Sequence, residues 1–482
     1  MTSTTPTVSS EAPQGERHRL SGWGESVHGW ARVHRPGTTA AVQDLVRGLA
    51  AAGRRITLRG AGRSYGDAAL ATGSDVLDLR GLDGIRAFDR DAGVIEVEAG
   101  VTIENLWRHV IAAGYWPMVV PGTMRPTVGG CIAMNVHGKN QFRDGPFGDH
   151  VLELEWVRPD GEVQTVSRAH DEELFLALLG GFGMLGVVTA AKLRLKRVHA
   201  GGVAVTAVPT SSLEEMIALF DEFGVSSDYL VGWVDCFHGS NRGVVHAGRH
   251  FRAGETWHGT PALEAQAQEL PPTVFGVLPR ALLSPFIQPF GTPTGMRLIN
   301  FTKYWVARLY GRTSFVQSHA QFAFLLDYVP RWKRIYDPGG LVQHQSFVPR
   351  ASSAAVHGEL LRMCRASGLT SWLGVFKRHQ SDAYLMSHLV DGYSLAMDFA
   401  VTPENRERLF ELCHAMDRVV LDAGGKFYLA KDSTAEPASL RRAYPGLDRF
   451  LALKQQVDPQ GLFHSDMAER LLTPLQAASS EA

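Results

Sequence analysis

The stretch Arg59-Gly60-Ala61-Gly62-Arg63-Ser64-Tyr65-Gly66-Asp67 decides the reading of the chain. It follows Ile56-Thr57-Leu58-Arg59, whose apolar and β-branched residues predict a short strand. A strand that runs into a turn with three glycines can aim several backbone N–H groups at one point. Such a turn makes an anion nest suited to a pyrophosphate. Many turns contain three glycines, so the weight of this one depends on its surroundings.

Three further segments of the same texture lie downstream. Pro121-Gly122-Thr123 leads to Thr127-Val128-Gly129-Gly130, and Asn135-Val136-His137-Gly138-Lys139-Asn140 comes next. Small and hydroxyl-bearing residues crowd together there, as a large planar ligand lying along the backbone requires. The last segment, Gly180-Gly181-Phe182-Gly183-Met184-Leu185-Gly186, carries G-x-G-x-x-G on Gly181, Gly183 and Gly186. A Rossmann site needs a strand before that motif and a helix after it. Here helix-like Glu172 to Leu179 precedes and strand-like Val187 to Leu195 follows, which excludes NAD binding by a Rossmann fold.

Around these segments the periodicity predicts short elements. Thr39 to Ala52 places Val42, Leu45, Val46 and Leu49 on one helical face, and Thr102 is a plausible N-cap for a helix with Ile103, Leu106, Trp107, Val110 and Ile111 on one side. Val94 to Glu98 and Val151 to Val157 alternate as strands do. The first 198 residues therefore form an α+β unit without regular βαβ alternation. From about Val203 strand-like runs (Asp228 to Cys236, Gln343 to Pro349, Tyr393 to Val401) alternate with helical ones (Ser212 to Phe223, Pro403 to Ala423). That texture predicts a second unit, one antiparallel sheet covered by helices. His246 to Thr302, rich in Gly and Pro and without a clear period, reads as a long, partly mobile loop.

Composition narrows the function classes. The chain has 482 residues, enough for two or three cores, and a net charge of -1, which favours neither nucleic acid nor anionic lipid as a general partner. Its four cysteines, Cys131, Cys236, Cys364 and Cys413, are too widely spaced for a zinc site or a disulfide framework. The Ser/Thr/Pro-rich start lacks an apolar core, so residues 1–20 are expected to be disordered and not a signal peptide. No apolar run is long enough to span a bilayer, and a cytoplasmic protein, peripheral to the membrane at most, is expected. The apolar patches Val274-Phe275-Gly276-Val277-Leu278-Pro279 and Leu282-Leu283-Ser284-Pro285-Phe286-Ile287 either admit a polyprenyl chain, touch a membrane or pack on their own core.

In this order and spacing, RGAGRSYGD (59–67), PGTMRPTVGG (121–130), NVHGKN (135–140), GGFGMLGVVT (180–189) and KFYLAKDS (426–433) resemble the vanillyl-alcohol oxidase superfamily, with its PCMH-type FAD-binding domain. The resemblance runs from about Gly22 to Leu471, and the HGKN and AKDS elements point to the branch that oxidises polyprenyl-linked ribose. It implies an α+β fold: a two-part FAD-binding domain (21–198 and 425–482) with an inserted antiparallel-sheet substrate domain (199–424). It also implies hydride transfer from a secondary hydroxyl, the 2′-OH of a polyprenylphosphoryl-β-D-ribose, to flavin N5. A separate NAD(P)H-dependent reductase would then take the keto product. Another alcohol, such as an alditol, an aldonolactone precursor or a secondary-metabolite intermediate, is the alternative substrate.

The resemblance also implies roles for residues. FAD would be held by Gly60, Ala61, Gly62, Arg63, Ser64, Tyr65 and Gly66, by Pro121, Gly122, Thr123, Thr127, Gly129 and Gly130, and by Asn135, His137, Gly138 and Asn140. Gly181, Gly183, Gly186, Val187 and Tyr428 would complete its site. Substrate would meet Lys139, Trp233, Gln343, Gln345, Lys377, Ala396 and Lys431. Lys431 is the first candidate base, since burial beside a flavin lowers a lysine pKa; pairing with developing charge is its other reading. His137 and Tyr65 are further catalytic candidates, and Asp432 either orients Lys431 or is a solvated turn residue. Two departures stand out. Arg63 occupies the position of a histidine that many members bond covalently to FAD, so non-covalent FAD is expected. Ala396 replaces a cysteine common in the branch, so capture by thiol-directed inhibitors is expected to fail.

Overall fold

The computed structural model describes residues 13–274 and 278–480. Its first sheet has four strands, β1 (Glu16–Ser21), β2 (His28–His34), β3 (Ile56–Arg59) and β4 (Asp75–Asp78), in the order β1-β2-β4-β3. The β2–β4 and β3–β4 pairs are parallel. Helix α1 (Thr39–Ala51) crosses between β2 and β3; the Thr38 hydroxyl accepts from Ala41 N (3.1 Å), and Val42, Val46 and Leu49 are buried. The expectation of a disordered stretch over residues 1–20 is corrected from Glu16 onward, because Glu16–Ser21 pairs with β2 along its whole length. That strand is polar on both faces, so only its ladder partner reveals it.

The second sheet joins β5 (Ile85–Asp89), β6 (Val94–Glu98), β7 (Tyr115–Pro117), β8 (Val151–Val157), β9 (Val163–Ser167) and β10 (Val187–Arg197), with β10 at its centre. Helices α2 (Ile103–Val110), α3 (Val128–Ala133) and α4 (Glu172–Leu178) pack with it in one core. The α2 N-cap is Thr102, whose hydroxyl accepts from Asn105 N (3.1 Å). The glycine run 180–186 lies between α4 and β10, helix before and strand after. The same core includes Phe427, Tyr428, Tyr444, Phe450 and Leu471, so the end of the chain returns to its beginning.

The third sheet has eight strands, all antiparallel: β11 (Gly202–Thr210), β12 (Tyr229–Val234), β13 (Gly243–His250), β14 (Thr313–Ser318), β15 (Leu341–Pro349), β16 (Leu373–His379), β17 (Gly392–Ala400) and β18 (Lys426–Phe427). Their order is β14-β11-β13-β12-β16-β17-β15-β18. Helices α5 (Leu213–Gly224), α8 (Ser353–Ala366) and α9 (Arg406–Asp422) cover one face through a core built on Met216, Phe220, Leu360, Phe376 and Met416.

The expected loop over His246 to Thr302 is also corrected. His246–His250 finishes β13, and two helices follow, α6 (Arg280–Ile287) and α7 (Pro293–Tyr310). Thr292 caps α7 by accepting from Gly295 N (3.1 Å), Pro293 opens it, and Met296, Asn300 and Tyr304 bury one stripe at four-residue spacing. Nearby Gly and Pro residues obscured that period. The patch Leu282 to Ile287 lies on α6, whereas Phe275–Val277 of the other patch lie outside the described residues. Among the described residues no helix is long and apolar enough to cross a membrane.

Candidate active site

A cavity of about 620 Å³ lies between the glycine-rich segments and the face of the eight-stranded sheet opposite α5, α8 and α9. That volume falls within the range of cofactor and ligand sites. Its first wall is backbone. Gly60, Ala61, Gly62, Arg63, Ser64 and Tyr65 line it, as do Pro121, Gly122, Thr123, Thr127, Gly129 and Gly130, and Gly181, Gly183 and Gly186. The amides of Ala61, Gly62, Arg63 and Ser64 make no hydrogen bond within the described residues, as an anion nest requires. A side chain at Gly60 would collide with the Thr127 hydroxyl, and Gly62 has φ +63°. Glycine is therefore needed at both, once for closeness and once for conformation.

The second wall is the sheet. Side chains two apart share a strand face, so Gln343 and Gln345 of β15 reach the cavity together, as do Leu373, Val375 and Lys377 of β16. Trp233 of β12 and Ala396 of β17 join them, and Ala396 stands opposite Gln345 in the ladder. The third wall is the turn after β18, with Tyr428, Ala430 and Lys431. Ala430 O accepts from Tyr65 N (2.9 Å), which fastens this turn to the first glycine segment.

Other expected residues serve elsewhere. A Cβ at Gly66 would meet the Asp432 carbonyl, so this glycine allows close packing of the 432 turn. Asn135 accepts from Gly148 N (2.9 Å), Asn140 donates to Met118 O (2.8 Å) and Asp144 Oδ2 (2.7 Å), and Val187 packs with the α1 core. Neither these nor Gly138 line the cavity. Lys139 does line it, but its ammonium donates to the carbonyls of Phe322 and Ala323. Asp432 accepts from Thr434 N (2.9 Å) and Arg470 (2.9 Å). Its carboxylate is thus committed to the turn, which corrects its reading as an orienting group for Lys431.

The charged groups show what the site can do. Lys431 Nζ lies 3.8 Å from the Tyr65 ring centre. Burial pulls its pKa below the ordinary 10.5, Asp398 opposes that shift, and Lys377 adds to it. Asp398 is pushed the other way by burial, against a hydrogen bond from Gln343 and the charge of Lys431. Burial lowers Lys377 to about 8. His137 is held neutral, first by burial and then by Lys377. Its Nε2 accepts from the Gln345 amide (3.1 Å), so the lone pair a base needs is engaged. Burial holds the Tyr65 phenol well above 10.0, fully protonated. Its hydroxyl has no hydrogen-bond partner, although Gln343 lies close enough to affect its ionisation.

Four more buried polar atoms at this site lack a partner: Arg63 Nε, His137 Nδ1, Gln343 Oε1 and Asp398 Oδ2. Buried polar atoms are rarely left unpaired, so such a concentration marks a place for a polar ligand. The free amides, the glycine wall and these atoms together fit FAD.

Asp398, Trp23, His246 and Lys303 were not expected at the site. Asp398 was within reach, since period-two alternation in Leu395-Ala396-Met397-Asp398 puts it on the face of Ala396. Lys303 was hidden because residues 293–302 of its helix read as loop.

Two family models match, one described as an FAD binding domain over residues 30–167 and one as D-arabinono-1,4-lactone oxidase over residues 361–471. The chain is similar to decaprenylphosphoryl-beta-D-ribose oxidase of Mycolicibacterium smegmatis, with 31% identity over 94% of this chain and 97% of that protein. It is also similar to cytokinin dehydrogenase 7 of Oryza sativa subsp. japonica, with 32% identity over 42% of this chain and 41% of that one.

Proposed function

The chain belongs to the FAD-dependent oxidoreductase family that includes decaprenylphosphoryl-beta-D-ribose oxidase, and from that membership we propose that it oxidises the 2′-hydroxyl of a polyprenylphosphoryl-β-D-ribose. It is an enzyme acting on CH–OH groups, and its cofactor is FAD. One observation carries the choice of substrate. Arg59, Arg63, Lys139, Lys303, Lys377 and Lys431 line the cavity, and among the described residues no aspartate or glutamate does. The glycine nest accounts for the FAD pyrophosphate. Lys303 and Lys377, far along the chain from that nest, are then left for a second anion, the substrate phosphate. A neutral alditol gives these lysines nothing to pair with.

Bound FAD supplies the hydride acceptor. Gln343 and Gln345 orient the sugar hydroxyls through their amides. Lys431, with its depressed pKa, takes the hydroxyl proton as a neutral amine. Tyr65, protonated and unpartnered, donates a hydrogen bond to the reacting oxygen, and His137 holds Gln345 in place. Arg63 has no nucleophilic ring nitrogen to offer the flavin, which supports non-covalent FAD. The keto product would pass to a separate NAD(P)H-dependent reductase. On this reading the residues from β1 to 198, with 425–482, form the FAD-binding part, and 199–424 form an inserted substrate part. Tyr428, Tyr444, Phe450 and Leu471 share a core with the first part of the chain, which supports that division, and Phe324, Phe347 and Tyr384 of the inserted part dock on the same core.

The test is anaerobic bleaching of the flavin. Polyprenylphosphoryl ribose should reduce it at micromolar concentration, whereas a free alditol should leave it oxidised. Reduction by the alditol, with none by the phosphoryl ribose, would establish the second substrate class instead.

A further inference from the structure

Helices α6 and α7 leave their outer faces without a partner. On α7, Leu298, Phe301, Trp305 and Leu309 are all exposed, Leu309 to 85%. Their spacing of three, four and four residues forms one continuous apolar stripe. The opposite stripe, Met296, Asn300 and Tyr304, is buried. On α6, Leu282 and Phe286 are exposed as well, the latter to 61%. Scattered exposed apolar side chains need no explanation, but a continuous stripe along one helix, with more on the helix before it, does.

Charge says what covers the patch. From Pro271 to Leu326 the chain contains no aspartate or glutamate, but it contains Arg280, Arg297, Lys303, Arg308 and Arg312, in a protein whose net charge is -1. Arg297 and Arg308 are exposed beside the α7 stripe. An apolar stripe carrying a tryptophan and flanked by arginines is the pattern of a helix that lies in a lipid headgroup layer. Among the described residues no helix is long and apolar enough to cross a membrane, which fits α7 lying on the membrane surface.

The same helix reaches the active site. Lys303 lines the cavity, with its Nζ 4.2 Å from the Trp233 ring centre. Leu325, Leu326 and Val329 also line the cavity, and Leu325 is exposed, which marks the mouth. We propose that α6 and α7 dock the enzyme on an anionic bilayer surface, with the mouth of the cavity turned to the lipid. A lipid-linked sugar phosphate then enters without its chain leaving the membrane. This deepens the reading of the substrate given above and rests on it.

The experiment is flotation of the FAD-loaded enzyme with vesicles of phosphatidylglycerol and phosphatidylcholine, and with phosphatidylcholine alone. The wild type should float with the anionic vesicles and stay behind with the neutral ones. Trp305→Ser with Leu309→Ser should weaken that binding by about tenfold or more, and Arg297→Glu with Arg308→Glu should abolish its dependence on anionic lipid. Both positions in each pair are exposed, and retained flavin absorbance shows that the variants fold. Wild-type enzyme that ignores anionic vesicles overturns the proposal. So does a wild-type dimer in size-exclusion chromatography that Trp305→Ser with Leu309→Ser turns into monomers, since a second copy then covers the patch. Flotation reads no catalysis, so a wrong substrate fails the bleaching test and leaves this result standing.

Discussion

The two main walls of the cavity recognise ligand in different ways. The glycine wall uses backbone, with free amides at residues 61–64 and a Gly60 that admits no side chain. The sheet wall uses side chains from separate strands, Gln343, Gln345, Lys377 and Ala396, with Lys431 from the adjoining turn and Asp398 behind Gln343. A backbone site tolerates little change in shape, and its preference for an anion rests on amides that do not titrate. The side-chain site tolerates change in shape, and its chemistry depends on a balance of buried charges. The difference suggests that cofactor retention and catalysis can be broken separately.

The largest effect should come from the charged wall. Lys431→Met should slow flavin reduction by about 10²- to 10⁴-fold while FAD stays bound, as stopped-flow absorbance would show. Next comes the backbone wall: Gly60→Ala should weaken FAD binding by about tenfold, because its methyl group meets the Thr127 hydroxyl. Gly60→Ala combined with Thr127→Ala should recover part of that loss, measured by flavin fluorescence titration.

The pH profile sharpens the comparison within the charged wall. Lys431 works as the neutral amine, so reduction should rise with pH through a pKa that lies below 10.5. Asp398 favours the ammonium, so Asp398→Asn should move the rise to lower pH. Lys377 disfavours the ammonium, so Lys377→Met should move it to higher pH. Shifts in the same direction would sink the assignment of Lys431. The smallest effect should be at Ala396: Ala396→Cys should keep turnover within about twofold yet make the enzyme sensitive to thiol reagents. The four native cysteines are all buried and should stay inert.

The same contrast explains what was legible in the sequence. Gly60 to Tyr65 and Gly181 to Gly186 could be read locally, since a backbone site is written in consecutive residues. Gln343 and Gln345 were legible only through the family resemblance, and their shared strand face explains why both meet the cavity. Asp398 and Lys303 meet the site only through strand pairing and a helix masked by glycines and prolines. Strand β1 was invisible for a similar reason, since its polar residues gain order from β2 alone. The nearest acidic neighbour in sequence, Asp432, is instead paired with Arg470.

The most direct test of the account is anaerobic absorbance of the flavin during titration with polyprenylphosphoryl ribose and with the matching polyprenyl riboside that lacks phosphate. The account predicts bleaching by the phosphorylated sugar at concentrations at least about tenfold lower, because Lys303 and Lys377 await an anion. Equal bleaching by both sugars would contradict it.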